Sequence, residues 1–324
     1  MIYSKTKISS GEGVMERLRI RLNEILGENR ARIDEDMREH TSFKAGGRAD
    51  FYLTPQNIEE LISVIRALNA AGTAFFILGN GTNVLVRDGG YRGAVIRIGP
   101  DFDGGAALQM TGAGGTRIIT ASAGMSLAAV AKKVAESGFS GLEALSGIPG
   151  NVGGALYMNA GAYGVEIADI VEKVAIYDIN NDNIVTVNSS DMEFAYRESV
   201  FKRNPWVILS AVLRLRKGDR TAILRATEEY ARERNRKQPM EFPSAGSFFK
   251  RPAGAYAGKL IEDAGLKGLT VGGARVSEKH AGFIVNIGGA TAADILALAG
   301  EVKRRVSERD GFDLEPEPRI IGEN

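Results

Sequence analysis

Between Val14 and Leu26 the apolar residues Leu18, Leu22, Ile25 and Leu26 recur at helical spacing among Arg and Glu, which predicts one amphipathic helix. His40–Pro55 then reads as loop, glycine turn and strand, and Asn57–Gly72 as a helix that buries Leu61, Ile62, Ile65 and Leu68. Phe75–Leu78 is an apolar run of strand length that passes into Gly79-Asn80-Gly81-Thr82-Asn83 and a second strand, Val84–Val86. Glycine turns separate further strands at Gly93–Ile98, Ala107–Thr111 and Thr116–Ser122, and a helix over Leu127–Ser137 stops at Gly138. Val171–Ile179 and Asn183–Val187 make a hairpin about Asn180–Asp182, followed by a strand at Trp206–Arg216 and a charged helix, Arg220–Gln238, closed by Pro239. The remainder predicts helices at Ala255–Ala264 and Thr291–Arg309, a strand at Gly282–Ile287 and a closing strand within Phe312–Gly322. This pattern is that of an α+β fold. The composition shift at Lys217-Gly218-Asp219 divides it into a helical extension (1–39), a first domain (40–217) and a second domain (218–324).

One stretch departs from these periods. Gly141–Gly164, GLEALSGIPGNVGGALYMNAGAYG, carries glycine too densely for a helix or strand interior, where each glycine costs roughly 0.5–1 kcal/mol relative to alanine. It therefore reads as a segment selected for backbone access. Ile148-Pro149-Gly150-Asn151 is a tight turn and Gly153-Gly154 opens a short apolar run, so successive N–H groups can converge on an anion such as a pyrophosphate. An ordinary glycine-rich loop is the plain alternative. No G-x-G-x-x-G opens a helix after Gly79–Asn83, and G-x-x-x-x-G-K-[ST] is absent, which disfavours dinucleotide-fold and P-loop readings.

Composition narrows the chemistry. The 324 residues are long enough for two or three domains, and a net charge of +1 gives no electrostatic reason to expect nucleic acid or a membrane surface. With no cysteine, disulfides, thiolate nucleophiles and Cys-ligated metals are excluded, and two histidines, His40 and His280, leave little material for a metal site or a Ser/His/Asp triad. No window has the ~18 apolar residues of a membrane helix, and MIYSKTKISSGEG lacks a signal-peptide core, so the expectation is a soluble cytoplasmic protein without metal and without an obligate protein partner. Acid–base work falls to Ser, Tyr, Lys or carboxylates, which turns attention to a bound organic cofactor.

HTSFKAGGRADF, ILGNGTNVLV, GIPGNVGGALYMNAGAYG, FAYRESVFK, AGSFFKRP, AGKLIEDAGLKG and LEPEPRIIG occur in that order. Together they resemble the flavin-dependent UDP-N-acetylenolpyruvoylglucosamine reductases of peptidoglycan precursor synthesis, over roughly His40 to Gly322. The resemblance implies a two-part FAD-binding domain of the vanillyl-alcohol-oxidase/PCMH type, followed by an α+β substrate-binding domain. It implies NADPH-dependent reduction of an enolpyruvyl ether on a UDP-sugar to a lactyl ether. By the same correspondence FAD is held by Gly79, Asn80, Gly81, Thr82 and Asn83, by Ile148, Pro149, Gly150, Asn151, Gly153 and Gly154, and by Asn159, Ala160, Gly161, Tyr163 and Gly164. Tyr157, Lys250, Arg251 and Lys259 fall to the substrate, with Lys250 and Arg251 rivals for the UDP phosphates.

Three residues carry the implied chemistry. Arg197 matches the family's catalytic arginine, and a planar guanidinium suits a carboxylate gaining charge. Ser247 matches the proton donor, since a carbanion-like enolate is basic enough to take a hydroxyl proton in a held geometry. Glu317 matches the catalytic glutamate and is expected to act protonated or through a hydrogen-bonded intermediary, with Glu315 its rival two residues away. Outside the family pattern Arg197 reads as a surface arginine and Ser247 as a turn serine. Pro318 departs from the family's aliphatic residue and bears on strand pairing, and Arg251 stands where some relatives have Asn. The short interval from Arg197 to Ser247 leaves little room for an extra tyrosine-bearing loop, as in the shorter subtype. The alternatives are a flavin-dependent oxidase acting on an alcohol or hydroxy acid, for which His40 is the one candidate for covalent attachment in the cofactor domain, and a non-catalytic nucleotide-binding module.

Overall fold

The computed structural model describes residues 2–3, 11–27, 29–104, 108–111 and 115–324. In chain order its elements are β1 (Ile2–Tyr3), α1 (Gly11–Leu26), β2 (Ala31–Asp36), β3 (Arg48–Leu53), α2 (Ile58–Ala70), β4 (Phe75–Leu78), β5 (Val84–Val86), β6 (Tyr91–Arg97), β7 (Gln109–Thr111), β8 (Thr116–Ser122), α3 (Leu127–Glu136) and β9 (Phe139–Ser140). There follow α4 (Val152–Met158), β10 (Gly161–Ala162), β11 (Val165–Glu166), β12 (Val171–Asp178), β13 (Asn183–Asn188), β14 (Trp206–Lys217) and α5 (Arg220–Lys237). Last come α6 (Ala257–Asp263), β15 (Thr270–Val271), β16 (Ala274–Val276), β17 (Ile284–Asn286), α7 (Ala292–Asp310) and β18 (Arg319–Ile321). Ala107, the first residue of one expected strand, lies outside the described residues.

Two compact units divide the chain. The first comprises Met1–Ile33, Phe51–Asn80 and Gly93–Arg232, the second Asp34–Asp50, Gly81–Arg92 and Glu233–Asn324. The expected boundary at 217/218 is a single cut in chain order, whereas each unit is assembled from three segments.

β1-β4-β6-β3-β2 form one sheet, in which β4 and β6 run parallel. A second sheet, β13-β12-β14-β8-β7 with β9 beside β14, is antiparallel throughout. The amphipathic helices bury the faces their periodicity marked: Leu18, Leu22 and Leu26 of α1 and Leu61, Ile65 and Leu68 of α2 are in one core with Ile96, Ile119 and Leu213. Asn57 accepts from the Glu60 N–H and Ser126 from the Ala129 N–H, capping α2 and α3.

The glycine-dense stretch holds a helix after all. α4 contains Gly153 and Gly154, against the expectation that no helix interior would tolerate them. A Cβ on Gly153 would stand 3.0 Å from Ala123 Cβ and 3.3 Å from its carbonyl, so the missing side chain lets α4 pack against the turn after β8. Close packing there offsets what glycine costs the helix.

The second unit is a three-stranded antiparallel sheet, β15-β16-β17, covered by α7. Thr291 and Asp294 form a capping box at the start of α7, and the Asp88 carboxylate accepts from the Ala292 and Ala293 N–H groups, each at 2.8 Å. Its core joins Phe43 and Leu85 to Phe248, Ile261, Ile295 and Leu298. β5 pairs in parallel with β18, Val84 opposite Arg319 and Val86 opposite Ile321. Several strands escape sequence reasoning, among them β2, whose ARIDED carries no apolar alternation, and short ones such as β9, β15 and β16.

Candidate active site

In the first unit the loop at Gly79–Asn80 is fastened by Asn151. This buried side chain accepts from the Asn80 N–H at 2.7 Å, and its Nδ2 donates to the Ile98 carbonyl at 2.9 Å and the Gly124 carbonyl at 3.0 Å. Asn80 Nδ2 donates to the Pro149 carbonyl at 3.0 Å. Asn151 is thus an organiser whose amide is consumed inside the protein. A Cβ on Gly79 would meet its Oδ1 at 2.8 Å, so glycine at 79 is required by this contact.

The backbone donors of Ile148–Gly154 are not a free row. Val152 N–H donates to the Met125 carbonyl and Gly153 N–H to the Ala123 carbonyl, both at 2.9 Å, and Ile148 N–H donates to Leu145. The expected convergence of successive N–H groups on an anion therefore fails at those three residues. Gly154 differs: beyond its chain neighbours and the backbone of its own helix, no atom lies within 4 Å of where its Cβ would stand, and its φ is not in the left-handed region. Its neighbours leave the space open.

Arg197 sits in a two-residue turn. Ala195 and Glu198 exchange both backbone hydrogen bonds, at 3.1 and 3.0 Å, and Arg197 takes φ = 56°, a left-handed conformation that a non-glycine residue adopts at a cost. Its Cζ lies 5.1 Å from the centre of the Tyr196 ring. Asn159, fully buried in the left-handed position ending α4, donates from Nδ2 to the Ala195 carbonyl at 3.0 Å and to Glu166 Oε2 at 2.7 Å, and accepts from the Ala168 N–H at 3.3 Å. Buried Ser199 donates to the Tyr157 carbonyl at 2.8 Å. Lys202, which sequence reasoning did not single out, donates to the Arg197 carbonyl at 2.6 Å.

In the second unit the segment around Ser247 is held by main chain on both sides. Phe248 N–H donates to the Gly282 carbonyl at 2.8 Å, while Glu317 N–H donates to Phe248 O at 2.8 Å and Lys250 N–H to Glu315 O at 2.9 Å. Ser247 and Glu317 are thereby brought onto adjacent paired segments. Asn83 braces the second of these, its carbonyl accepting from the Arg319 N–H at 2.9 Å and its Nδ2 donating to the Glu317 carbonyl at 3.4 Å. Gly81 is fixed by packing: at φ = 65° a Cβ would stand 2.0 Å from the His40 carbonyl oxygen. Ser247 is exposed and Glu317 half-buried. Glu315, the rival carboxylate, is engaged by Lys250 Nζ at 3.1 Å. Pro318 is buried between the two paired runs, and β18 begins at the next residue.

Two family models match the chain, an FAD binding domain over residues 49–188 and the C-terminal domain of UDP-N-acetylenolpyruvoylglucosamine reductase over residues 238–321. The UDP-N-acetylenolpyruvoylglucosamine reductase of Caldanaerobacter subterraneus is 47% identical over 303 residues, covering 94% of this chain and 97% of the relative. The chain belongs to the UDP-N-acetylenolpyruvoylglucosamine reductase family. The reductase of Geobacillus kaustophilus is 43% identical over 308 residues, 95% of this chain and 98% of that protein. The structure of the Thermus caldophilus reductase superposes with a TM-score of 0.75 at 34% identity, covering 90% of this chain and 99% of the other. As a member of this reductase family the chain is an FAD-dependent oxidoreductase with the α+β fold expected from its sequence, and the oxidase alternative falls away.

The remaining candidates of the reductase sort by what holds them. Tyr163 and Gly164, with φ of 52° and 83°, are the two turn residues between β10 and β11, the pair of positive angles a tight hairpin of that kind demands. The Tyr163 ring lies 4.7 Å from that of Tyr230, and its hydroxyl donates to the Tyr230 carbonyl at 3.4 Å. A Cβ on Gly161 would meet Glu166 at 2.8 Å. Lys259 pairs with Asp263 one turn along α6, and the Arg251 guanidinium stacks 4.7 Å from the centre of the exposed Tyr256 ring. His40, half-buried, places Nε2 2.7 Å from Glu35 Oε1. Among the described residues no group of His, Cys, Asp and Glu could hold a metal, and no helix is long and apolar enough to cross a membrane.

For FAD the fit turns on Gly154. A glycine inside a helix, with neither a positive φ nor a crowded Cβ to explain it, leaves a backbone face that a ligand can approach closely, and the fastened Gly79–Asn80 loop is bonded to the same turn through Asn151 and Pro149. The residues present fit the cofactor.

Proposed function

We propose that the chain catalyses NADPH-dependent reduction of UDP-N-acetyl-3-O-enolpyruvoylglucosamine to UDP-N-acetylmuramate, a cytoplasmic step of peptidoglycan precursor synthesis that serves cell shape and division. The names of the relatives and the FAD-domain match support the reaction class. The FAD-binding part would be held at Gly79–Asn83 and Ile148–Gly154, with Asn159–Gly164 alongside, and the second domain would take the UDP-sugar through Lys259 and either Lys250 or Arg251. Bound FAD would supply the hydride carrier between the nicotinamide and the enolpyruvyl double bond. Arg197 offers two parallel N–H donors to the substrate carboxylate as it gains enolate charge. Ser247 Oγ gives its proton to the substrate carbon, completing the addition of hydride and proton across the bond. Glu317 acts protonated or through a hydrogen-bonded intermediary, because an ionised carboxylate directly beside the charge-gaining carboxylate would repel it. Tyr157 borders the substrate.

The observation that carries the acid assignments is the hydrogen bond from Glu317 N–H to Phe248 O, which sets the glutamate beside the segment of Ser247. The test combines purified protein, FAD, NADPH and the enolpyruvyl UDP-sugar. NADPH should be consumed only with the UDP-sugar present, with UDP-N-acetylmuramate formed in equal amount, and acid precipitation should release the flavin colour into solution. Flavin reduced by a simple alcohol or hydroxy acid, or colour retained on the precipitated chain, would contradict the proposal.

A further inference from the structure

Arg197 occupies a turn in which glycine or asparagine would sit without strain. Nothing in the exchanged Ala195–Glu198 hydrogen bonds calls for arginine, so the left-handed backbone is retained for where it points the side chain, and something must hold it there. Lys202, in the short 3-10 turn Val200–Lys202, meets this turn from below with a side chain only 14% exposed. Its Nζ lies 2.6 Å from the Arg197 carbonyl and 3.1 Å from Glu198 Oε1, and stands 6.0 Å from the centre of the Tyr157 ring. An ammonium has three donors. Two are spent on the turn that carries Arg197, and the third side of the cation faces an aromatic ring. Ser199, which precedes this short turn, is tied by its hydroxyl to the Tyr157 carbonyl, so the lysine has a fixed base from which to act.

We propose that Lys202 is a positioning residue for Arg197: its ammonium holds the left-handed turn so that the guanidinium is presented to the substrate carboxylate, and it binds no ligand itself. The proposal rests on reading Arg197 as the carboxylate's partner.

The test uses the holoenzyme in four forms: wild type, Lys202→Met, Arg197→Ala and the double variant. Methionine keeps the length of the stem and removes the donors. In stopped flow, Lys202→Met should slow reoxidation of reduced flavin by the enolpyruvyl UDP-sugar about tenfold or more, while flavin content, reduction by NADPH and KM for the UDP-sugar stay near wild type. Lys202→Arg should recover part of the loss. In the Arg197→Ala background the same Lys202→Met change should cost less than about twofold, because the group it positions is gone. Hydrogen exchange supplies a readout independent of turnover: the Ala195 and Glu198 amides should exchange at least tenfold faster in Lys202→Met. A raised KM at unchanged kcat would make Lys202 a ligand contact and overturn the proposal. So would an undiminished loss in the Arg197→Ala background, or a slow Arg197→Ala beside a Lys202→Met of wild-type speed. Wild-type reoxidation in Arg197→Ala would remove the reading of Arg197 and the proposal with it. Should Lys202→Met not fold, Lys202→Gln carries the same comparison.

Discussion

The turn that bears Arg197 and the paired segments that bear Ser247 and Glu317 are built by opposite means. The first adds side-chain clamps to its own Ala195–Glu198 backbone pair: Asn159 on the Ala195 carbonyl and Lys202 on the Arg197 carbonyl, with Ser199 on Tyr157 beside them. The second is held by backbone bonds from Phe248 to Gly282, from Glu317 to Phe248 and from Lys250 to Glu315. A side-chain clamp can be removed by one substitution, whereas a backbone ladder survives most changes of side chain. Damage to the arginine should therefore come from residues that never touch substrate. Damage to the serine and glutamate should come mostly from those two residues, and less from the few side chains, such as Asn83, that touch their backbone.

The largest expected effect tests the ladder. Ser247→Ala removes an exposed hydroxyl and no backbone bond, so folding and flavin content should stay intact while flavin reoxidation by the enolpyruvyl substrate slows by about 10²–10⁴-fold, the usual worth of general acid catalysis. Ser247→Cys should regain part of that rate. Reoxidation of the alanine variant at wild-type speed, followed by stopped flow, would shift the acid role to Glu317 or Lys259.

Next in size is the clamp. Asn159→Ala abandons three hydrogen bonds at a fully buried site: the Ala168 N–H loses its partner, and the Ala195 carbonyl keeps only the bond from the Glu198 N–H. A loss of about 1–3 kcal/mol in urea unfolding is expected, the usual cost of one polar group left without its partner. Slower turnover should accompany it. A stability loss no larger than that of Ser247→Ala would mean that the two regions are not built differently.

Gly154→Ala should separate stability from cofactor binding. Alanine is favoured over glycine in a helix by about 0.8–1 kcal/mol, and the space its methyl would enter is empty of protein. The flavin-free protein should gain up to that amount in thermal or urea unfolding, while the fraction of chains carrying FAD falls. A stabilised variant with full flavin occupancy would assign the open face of α4 to something other than the cofactor.

The smallest effect sharpens the ladder side. Burial holds the His280 imidazole below its ordinary value of 6.5, with Lys267 and Lys237 acting the same way and Glu262 opposing. Its Nδ1 accepts from the Gly282 N–H at 3.1 Å, and the Gly282 carbonyl accepts from Phe248. The unfolded chain binds this proton more readily than the folded one. The contribution is thus fully present above the ordinary value and is lost as pH falls through 6.5 toward the lower folded value. Urea midpoints should drop from about pH 7.5 to about pH 5.5, and His280→Gln should drop less. Equal slopes would show that the imidazole's protonation has no part in holding Gly282.

What could be read in the sequence follows from how local each cause is. The helices α1, α2, α3 and α7 bury stripes that their own periodicity announces, and Asn57, Ser126 and Thr291 announce their starts. α4 could not be read, because Gly153 is tolerated only by virtue of Ala123, thirty residues earlier. β5 was legible as a strand but not its partner, since the pairing with β18 has no local signal. For the site, ordered motifs carried Arg197, Ser247 and Glu317. The left-handed angle at Arg197 and the inward turn of the Asn151 and Asn159 amides left no trace in residue type alone. Lys202 went unnoticed within FAYRESVFK because its acceptor is a main-chain carbonyl, which every residue has.

The parallel pairing of β5 with β18 also bears on how the polypeptide is made. Val84-Leu85-Val86 emerges from the ribosome long before its mate, and the Asn83–Glu317 contact beside it spans 234 residues. At about 5–20 residues per second of synthesis the apolar strand waits roughly 10–50 s with one edge unclaimed. Leu85 belongs to the same core as Phe43 and Phe248, so the wait ends only when that core closes. A nascent chain of this kind is a natural client for a holding chaperone at β5, and release of strand 319–321 by a C-terminal protease would reopen the same edge in the finished molecule.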